Sequence, residues 1–175
     1  LLASSMSLLS PRQPTGACWR LDADLRVERV ADGLHCGNGI AFSPAGDRFY
    51  LADTDALRVW SHDYDAATAA IGARRPFVDT TGLAGRPDGA TVDAEGGYWL
   101  AGVRGGHVYR FAPDGRLDRT IDVPVSLPTR PMFGGPALDR LYVTSIRVDG
   151  EPLSGGLFVI EDLGAVGLPE PRFAG

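Results

Sequence analysis

Short apolar runs alternate with polar, Gly-containing turns along the whole chain. No stretch keeps the 3.6-residue spacing of an amphipathic helix. The runs follow strand rules, with apolar and aromatic residues bounded by Gly, Pro, Asn and Asp. Three segments share one grammar: an apolar strand, a polar turn, then an aromatic strand. The first is Asn38-Gly39-Ile40-Ala41-Phe42-Ser43-Pro44-Ala45-Gly46, leading into Phe49-Tyr50-Leu51-Ala52. The second is Asp88-Gly89-Ala90-Thr91-Val92-Asp93-Ala94-Glu95-Gly96, leading into Tyr98-Trp99-Leu100-Ala101. The third is Thr129-Arg130-Pro131-Met132-Phe133-Gly134-Gly135, leading into Leu141-Tyr142-Val143-Thr144. Each predicts a β-hairpin. The Ala-rich stretch from Ala66 to Ala73 is too short for a helix and reads as a turn between strands.

A second hairpin follows each time, opening on Leu57–Trp60, His107–Phe111 and Gly156–Ile160. The same unit stands early as Ala17–Leu21, followed by Arg26–Val30. Trp19, Trp60, Tyr109 and Phe158 are spaced 41, 49 and 49 residues apart, and Asn38 and Asp88 are 50 apart. Four strands in a period of about 40 to 50 residues describe the blades of a β-propeller. A β-sandwich also has many short strands, but it does not need one aromatic-turn-Gly pattern at fixed spacing. The fold expected is therefore all-β: one partial propeller domain over residues 1–175, built of four-stranded blades. It comprises a blade remnant over 1–33 and blades over about 38–86, 87–127 and 129–175. Leu1 to Met6 reads as a strand rather than as part of a signal sequence, since no positive segment precedes it.

Composition narrows the function classes. The 175 residues carry a formal net charge of -5 with no basic run or stripe, which argues against nucleic acid as a partner. No apolar run approaches the roughly 18 residues of a membrane helix. Cys18 and Cys36 are too few for a disulfide framework and read as reduced, half-buried thiols of a cytoplasmic protein. Oligomeric state is not encoded in any recognisable pattern.

The start of each innermost blade strand lies near the propeller axis, so one set of side chains per blade converges there. Asn38 and Asp88 hold equivalent places in successive repeats. An amide oxygen and a carboxylate brought together suit a hard cation. Asn-Gly and Asp-Gly are also the commonest turn dipeptides, and the residues alone favour that second reading. Arg86 and Arg130 flank inner-strand starts and read either as contacts to a polyol or carboxylate or as exposed loop arginines. His35, His62 and His107 share no metal-like spacing. His62 and His107 fall in outer-hairpin positions that suit packing or solvent; His35, three residues before Asn38, reads first as another such residue and second as one that reaches the channel mouth. Asp53 and Asp55 read as a solvated acidic turn, and Trp19, Trp60, Trp99 and Tyr109 as blade packing. No serine stands in a Gly-x-Ser-x-Gly elbow.

Taken in order, these pieces resemble a known family. They are Asn38-Gly39, Ser43-Pro44, His62-Asp63-Tyr64-Asp65, Arg86-Pro87-Asp88-Gly89, Asp93-Ala94-Glu95-Gly96, Tyr98-Trp99, Gly105-Gly106, Phe133-Gly134-Gly135, Leu141–Ser145 and Gly155–Phe158. Together they are similar to the gluconolactonase, regucalcin and senescence-marker-protein group of six-bladed propellers. The resemblance spans nearly the whole chain but only about the last three-fifths of a member, about three and a half blades of six. Phe173-Ala174-Gly175 looks like a family C-terminus, whereas Leu1 to Met6 falls on a strand in mid-blade. The resemblance implies that Asn38 is a metal ligand and that Asp88 is both a metal ligand and the general base. It also implies a third ligand, a Glu, and substrate-contacting Arg and Asn residues in a part of the fold that precedes Leu1. The residue before Asn38 is Gly37, where the family more often has Pro.

The activity implied is hydrolysis of small sugar lactones, with one divalent ion (calcium, zinc, manganese or magnesium) as Lewis acid. Weak metal binding and impaired turnover are expected of the chain as it stands, because the Glu ligand has no counterpart. Two alternatives stand beside the lactonase: a non-catalytic calcium-binding or protein-interaction propeller, and an esterase acting on aryl esters or phosphotriesters.

Overall fold

The computed structural model describes residues 1–170; Phe173–Gly175, read above as a family-like end, lie outside them. Fourteen strands form four antiparallel sheets, and no helix occurs among the described residues. The first sheet holds β1 (Leu2–Ser4), β2 (Gly16–Leu21) and β3 (Val27–Leu34). The second holds β4 (Gly37–Phe42), β5 (Arg48–Asp53), β6 (Arg58–Asp65) and β7 (Ala70–Asp79). The third holds β8 (Arg86–Val92), β9 (Tyr98–Val103), β10 (His107–Phe111) and β11 (Leu117–Asp122). The fourth holds β12 (Pro128–Gly134), β13 (Arg140–Ser145) and β14 (Leu157–Ile160). Each sheet is a meander, every strand pairing with its neighbour in sequence, as in a propeller blade.

The periodic aromatics fix which strands correspond. Trp19, Trp60, Tyr109 and Phe158 lie in β2, β6, β10 and β14, the third strand of the repeat. The first sheet therefore begins at the second strand of a blade, and the fourth has three strands among the described residues. The innermost strands β4, β8 and β12 pack in succession, β8 touching both others. Between sheets lie three apolar clusters. Cys18, Leu34, Phe49 and Leu51 join the first sheet to the second. Tyr50, Tyr98, Leu100 and Phe111 join the second to the third, with the Tyr50 and Tyr98 rings 5.1 Å apart. Trp99, Phe133, Leu141 and Val143 join the third to the fourth, with Trp99 edge-on to Phe133 at 5.6 Å. Burial of these faces is what makes one blade depend on the next.

Ala66–Ala69 form a turn, tied by Ala67 N–H donating to Asp65 Oδ1 at 2.9 Å, and Ala70 opens β7. Leu2–Ser4 form a strand, and Met6 bridges to Cys36. Both cysteines are free and buried rather than half buried, and Cys18 fills the seam between the first two sheets. His62 is buried against Phe49, its Nδ1 3.0 Å from the Gly72 carbonyl. Trp99 and Tyr109 are buried, and Trp60 stacks with the Arg74 guanidinium at 4.6 Å. Trp19 departs from the packing reading: it is 39% exposed.

Candidate metal and substrate site

The site stands at the start of the innermost strands. Each of these strands carries a β-bulge there, between Asn38 and Ala41, between Pro87 and Ala90, and between Pro128 and Arg130. A bulge breaks the alternation of side chains and re-aims one of them. Asn38 in β4 is the last paired residue before its bulge, opposite Ala52, and Asp88 in β8 lies within its own bulge. Asn38-Gly39 and Asp88-Gly89 thus lie inside strands and are not turns. The glycines are required by close approach instead. A Cβ on Gly39, whose φ is +57°, collides with the Tyr98 hydroxyl and comes within 2.7 Å of Ala52 Cβ. A Cβ on Gly89 lies 2.7 Å from the Thr129 carbonyl and from Arg130 Cβ. Only glycine lets the rim of one blade touch the next.

Two hydrogen bonds tie those rims in opposite directions. The Tyr98 hydroxyl, from the third sheet, donates to the Gly39 carbonyl of the second at 2.7 Å. The Thr54 hydroxyl, which follows β5 of the second sheet, donates to the Pro87 carbonyl of the third at 2.7 Å. Asn38 Nδ2 in turn donates to Thr54 Oγ1 at 2.8 Å. Asn38 and Asp88 therefore flank a common, cross-linked edge.

Asp88 is unlike the other carboxylates. Burial pushes its carboxyl up to about 6, and only the Gly89 N–H offsets part of that. It takes part in no ion pair among the described residues, whereas Asp63 and Asp118 are held low by Arg75 and Arg110, and Asp55 pairs with Arg12 and Arg86. A desolvated carboxylate with no cation beside it is the environment that a bound cation relieves. Asn38 and Asp88 supply two oxygen donors of the type that hard divalent ions prefer. The described residues contain no cluster of three or more His, Cys, Asp or Glu side chains suited to a metal. The donor set visible here is thus one amide and one carboxylate.

The two arginines separate. Arg86 is bound to Asp55 at 2.5 Å, and Asp55 also holds Arg12 at 3.0 Å. The stem of Arg130 lies against Gly89, directly beside Asp88, and its guanidinium has no carboxylate partner among the described residues. His35 is drawn to Asp53, with Nδ1 3.1 Å from Oδ2. Asp53 corrects the reading of a solvated acidic turn. It is 2% exposed and accepts the backbone N–H groups of His35, Cys36, Asp55 and Ala56, so it ties the entry of β4 to the end of β5. Thr54, Tyr98 and Arg12 carry no sequence signal that marks them for the site, because each acts on a partner distant in the chain.

Residues 2–147 match the family described as the SMP-30/Gluconolactonase/LRE-like region. The chain belongs to this family. The pentonolactonase XacC of Haloferax volcanii is 39% identical over 168 residues, which cover 90% of this chain and 57% of that protein. The L-arabinolactonase of Azospirillum brasilense is 36% identical over 173 residues, covering 94% of this chain and 56% of that protein. Among solved structures, the calcium-binding protein regucalcin from Agrobacterium tumefaciens superposes with a TM-score of 0.89 at 30% identity, covering 97% of this chain and 59% of its own. The chain thus spans somewhat more than half the length of these SMP-30/gluconolactonase relatives. The partial propeller expected from the repeats matches this coverage.

Proposed function

We propose that the chain carries the Asn38–Asp88 half of a metal-dependent lactonase site that opens small sugar lactones to hydroxy acids. The observation that carries this reading is the desolvated, unpaired Asp88 carboxylate set beside an Asn whose amide nitrogen is already engaged. The lactonase names of two relatives support it. Asn38 and Asp88 hold one divalent cation, of calcium, zinc, manganese or magnesium, which supplies Lewis acidity toward the lactone carbonyl and acidifies water.

Asp88 is ionised at neutral pH and takes a proton from the attacking water. The new C–O bond forms at the carbonyl carbon, the ring C–O bond breaks, and the released alkoxide recovers a proton to give the hydroxy acid. Arg130, lying beside Gly89, steadies the substrate's oxygens, with Arg86 a weaker contributor because Asp55 already neutralises it. Asn38 and Asp88 together supply two protein oxygens, a donor set that by itself binds a divalent cation weakly. Free, buried Cys18 and Cys36 suit a reducing cytoplasm.

The experiment is acid release from pentono- and gluconolactones, with and without added divalent ions, by the wild type and Asp88→Ala. Metal-dependent release that disappears in a folded Asp88→Ala variant supports the lactonase. Metal binding without turnover in the wild type favours the second reading, a non-catalytic calcium-binding propeller, which the likeness to regucalcin motivates.

A further inference from the structure

Thr54 is buried, 7% exposed, at the point where the second and third sheets meet. Its hydroxyl has one proton to give. The Pro87 carbonyl, 2.7 Å away, can only accept, so it takes that proton. Toward Asn38, at 2.8 Å, Thr54 Oγ1 is then left as an acceptor. Asn38 must present its NH2 group there, and its Oδ1 points to the other side. The orientation of an Asn amide is thus fixed by a neighbour's hydrogen-bond inventory. Thr54 itself is anchored by its N–H, which donates to the Cys36 carbonyl at 2.9 Å. The chain Asn38–Thr54–Pro87 carries one hydrogen-bond direction from one blade to the residue preceding Asp88 in the next.

We infer that Thr54 is a positioning residue: it holds the Asn38 amide with its oxygen free for a divalent cation and locks Asn38 in register with Asp88. This rests on the proposed metal site. A ligand's outer partner of this kind typically governs metal affinity by about 10- to 100-fold. Valine matches threonine in shape but lacks the hydroxyl, whereas serine keeps it.

The test follows the side-chain amide signals of Asn38 by NMR and titrates Mn2+ into the whole chain. Paramagnetic broadening is read at Asp88 in the wild type, Thr54→Val, Thr54→Ser, Asn38→Ala and the double variant Asn38→Ala/Thr54→Val, and also at Asn38 where that residue is kept. The expected result is a shifted Asn38 amide pair in Thr54→Val and an about 10- to 100-fold higher Mn2+ requirement. Thr54→Ser stays within a few-fold of the wild type, and Thr54→Val adds nothing in the Asn38→Ala background. Equal Mn2+ requirement in Thr54→Val and Thr54→Ser, or a full further loss in the Asn38→Ala background, overturns the role of Thr54. Absence of broadening at Asn38 and Asp88 in the wild type instead sinks the metal reading. The Asn38 amide signals still judge Thr54 in that event: superposable signals in the wild type and Thr54→Val refute it.

Discussion

Asp88→Asn is expected to stabilise the fold while destroying the chemistry, and only above a defined pH. The Asp88 carboxyl is raised from 3.8 to about 6 by burial. The folded state therefore holds its proton more tightly than the unfolded chain does. Stability is full while Asp88 is protonated, falls as pH rises from about 4 through about 6, and is level above that. The gap between 3.8 and about 6 sets a ceiling of about 3 kcal/mol. Partial exposure of the side chain lets solvent screen the charge and brings the figure nearer to 1–2 kcal/mol, as an order-of-magnitude estimate. Asparagine keeps the shape and carries no charge to desolvate. In urea denaturation followed by tryptophan fluorescence, with chelator present, Asp88→Asn should exceed the wild type by about 1–2 kcal/mol at about pH 7.5. That corresponds to a rise of roughly 2–8 °C in Tm for a chain of this size. At about pH 4 the two should coincide. Millimolar Mn2+ should narrow or reverse the difference at neutral pH, because a ligand that binds only the folded wild type stabilises it. A gain independent of pH, or none at about pH 7.5, refutes the claim that Asp88 is held desolvated.

Other perturbations separate function from scaffold. Arg130→Ala should raise KM for a sugar lactone about 10-fold or more, and Arg86→Ala much less, in steady-state assays, because Asp55 already engages Arg86; equal effects refute the distinction. Arg110→Met should cost about 3 kcal/mol in chemical denaturation. Arg110 binds Asp93 at 2.7 Å, and Asp93 is fully buried, so the change strands a charge that Trp99 and two backbone N–H groups only partly satisfy. A loss below about 1 kcal/mol would show that Asp93 is relieved by other means.

The repeat was legible because it is written in residues that must recur: a third-strand aromatic and an apolar strand before each turn. The same periodicity placed Asn38 and Asp88 at equivalent inner-strand starts, and the structure puts a bulge at each. Contacts that cross between blades were not legible. Thr54 and Tyr98 bind backbone carbonyls of Pro87 and Gly39, which any residue presents, so nothing in the side-chain pattern announces the pairing. Gly39 and Gly89 looked like turn glycines because the sequence records only the absence of a side chain. Whether φ or a neighbouring blade demands that absence is settled in three dimensions. Asp53 misled for a similar reason: an acidic residue near a turn reads as solvated until its four backbone donors are counted.

The most direct test of the central claim is a crystal of this chain soaked in millimolar MnCl2 and measured for anomalous scattering. A peak is expected within coordination distance of Asn38 Oδ1 and the Asp88 carboxylate, lost in Asp88→Ala crystals. A peak elsewhere, or none beside Asp88 at saturating Mn2+, contradicts the claim.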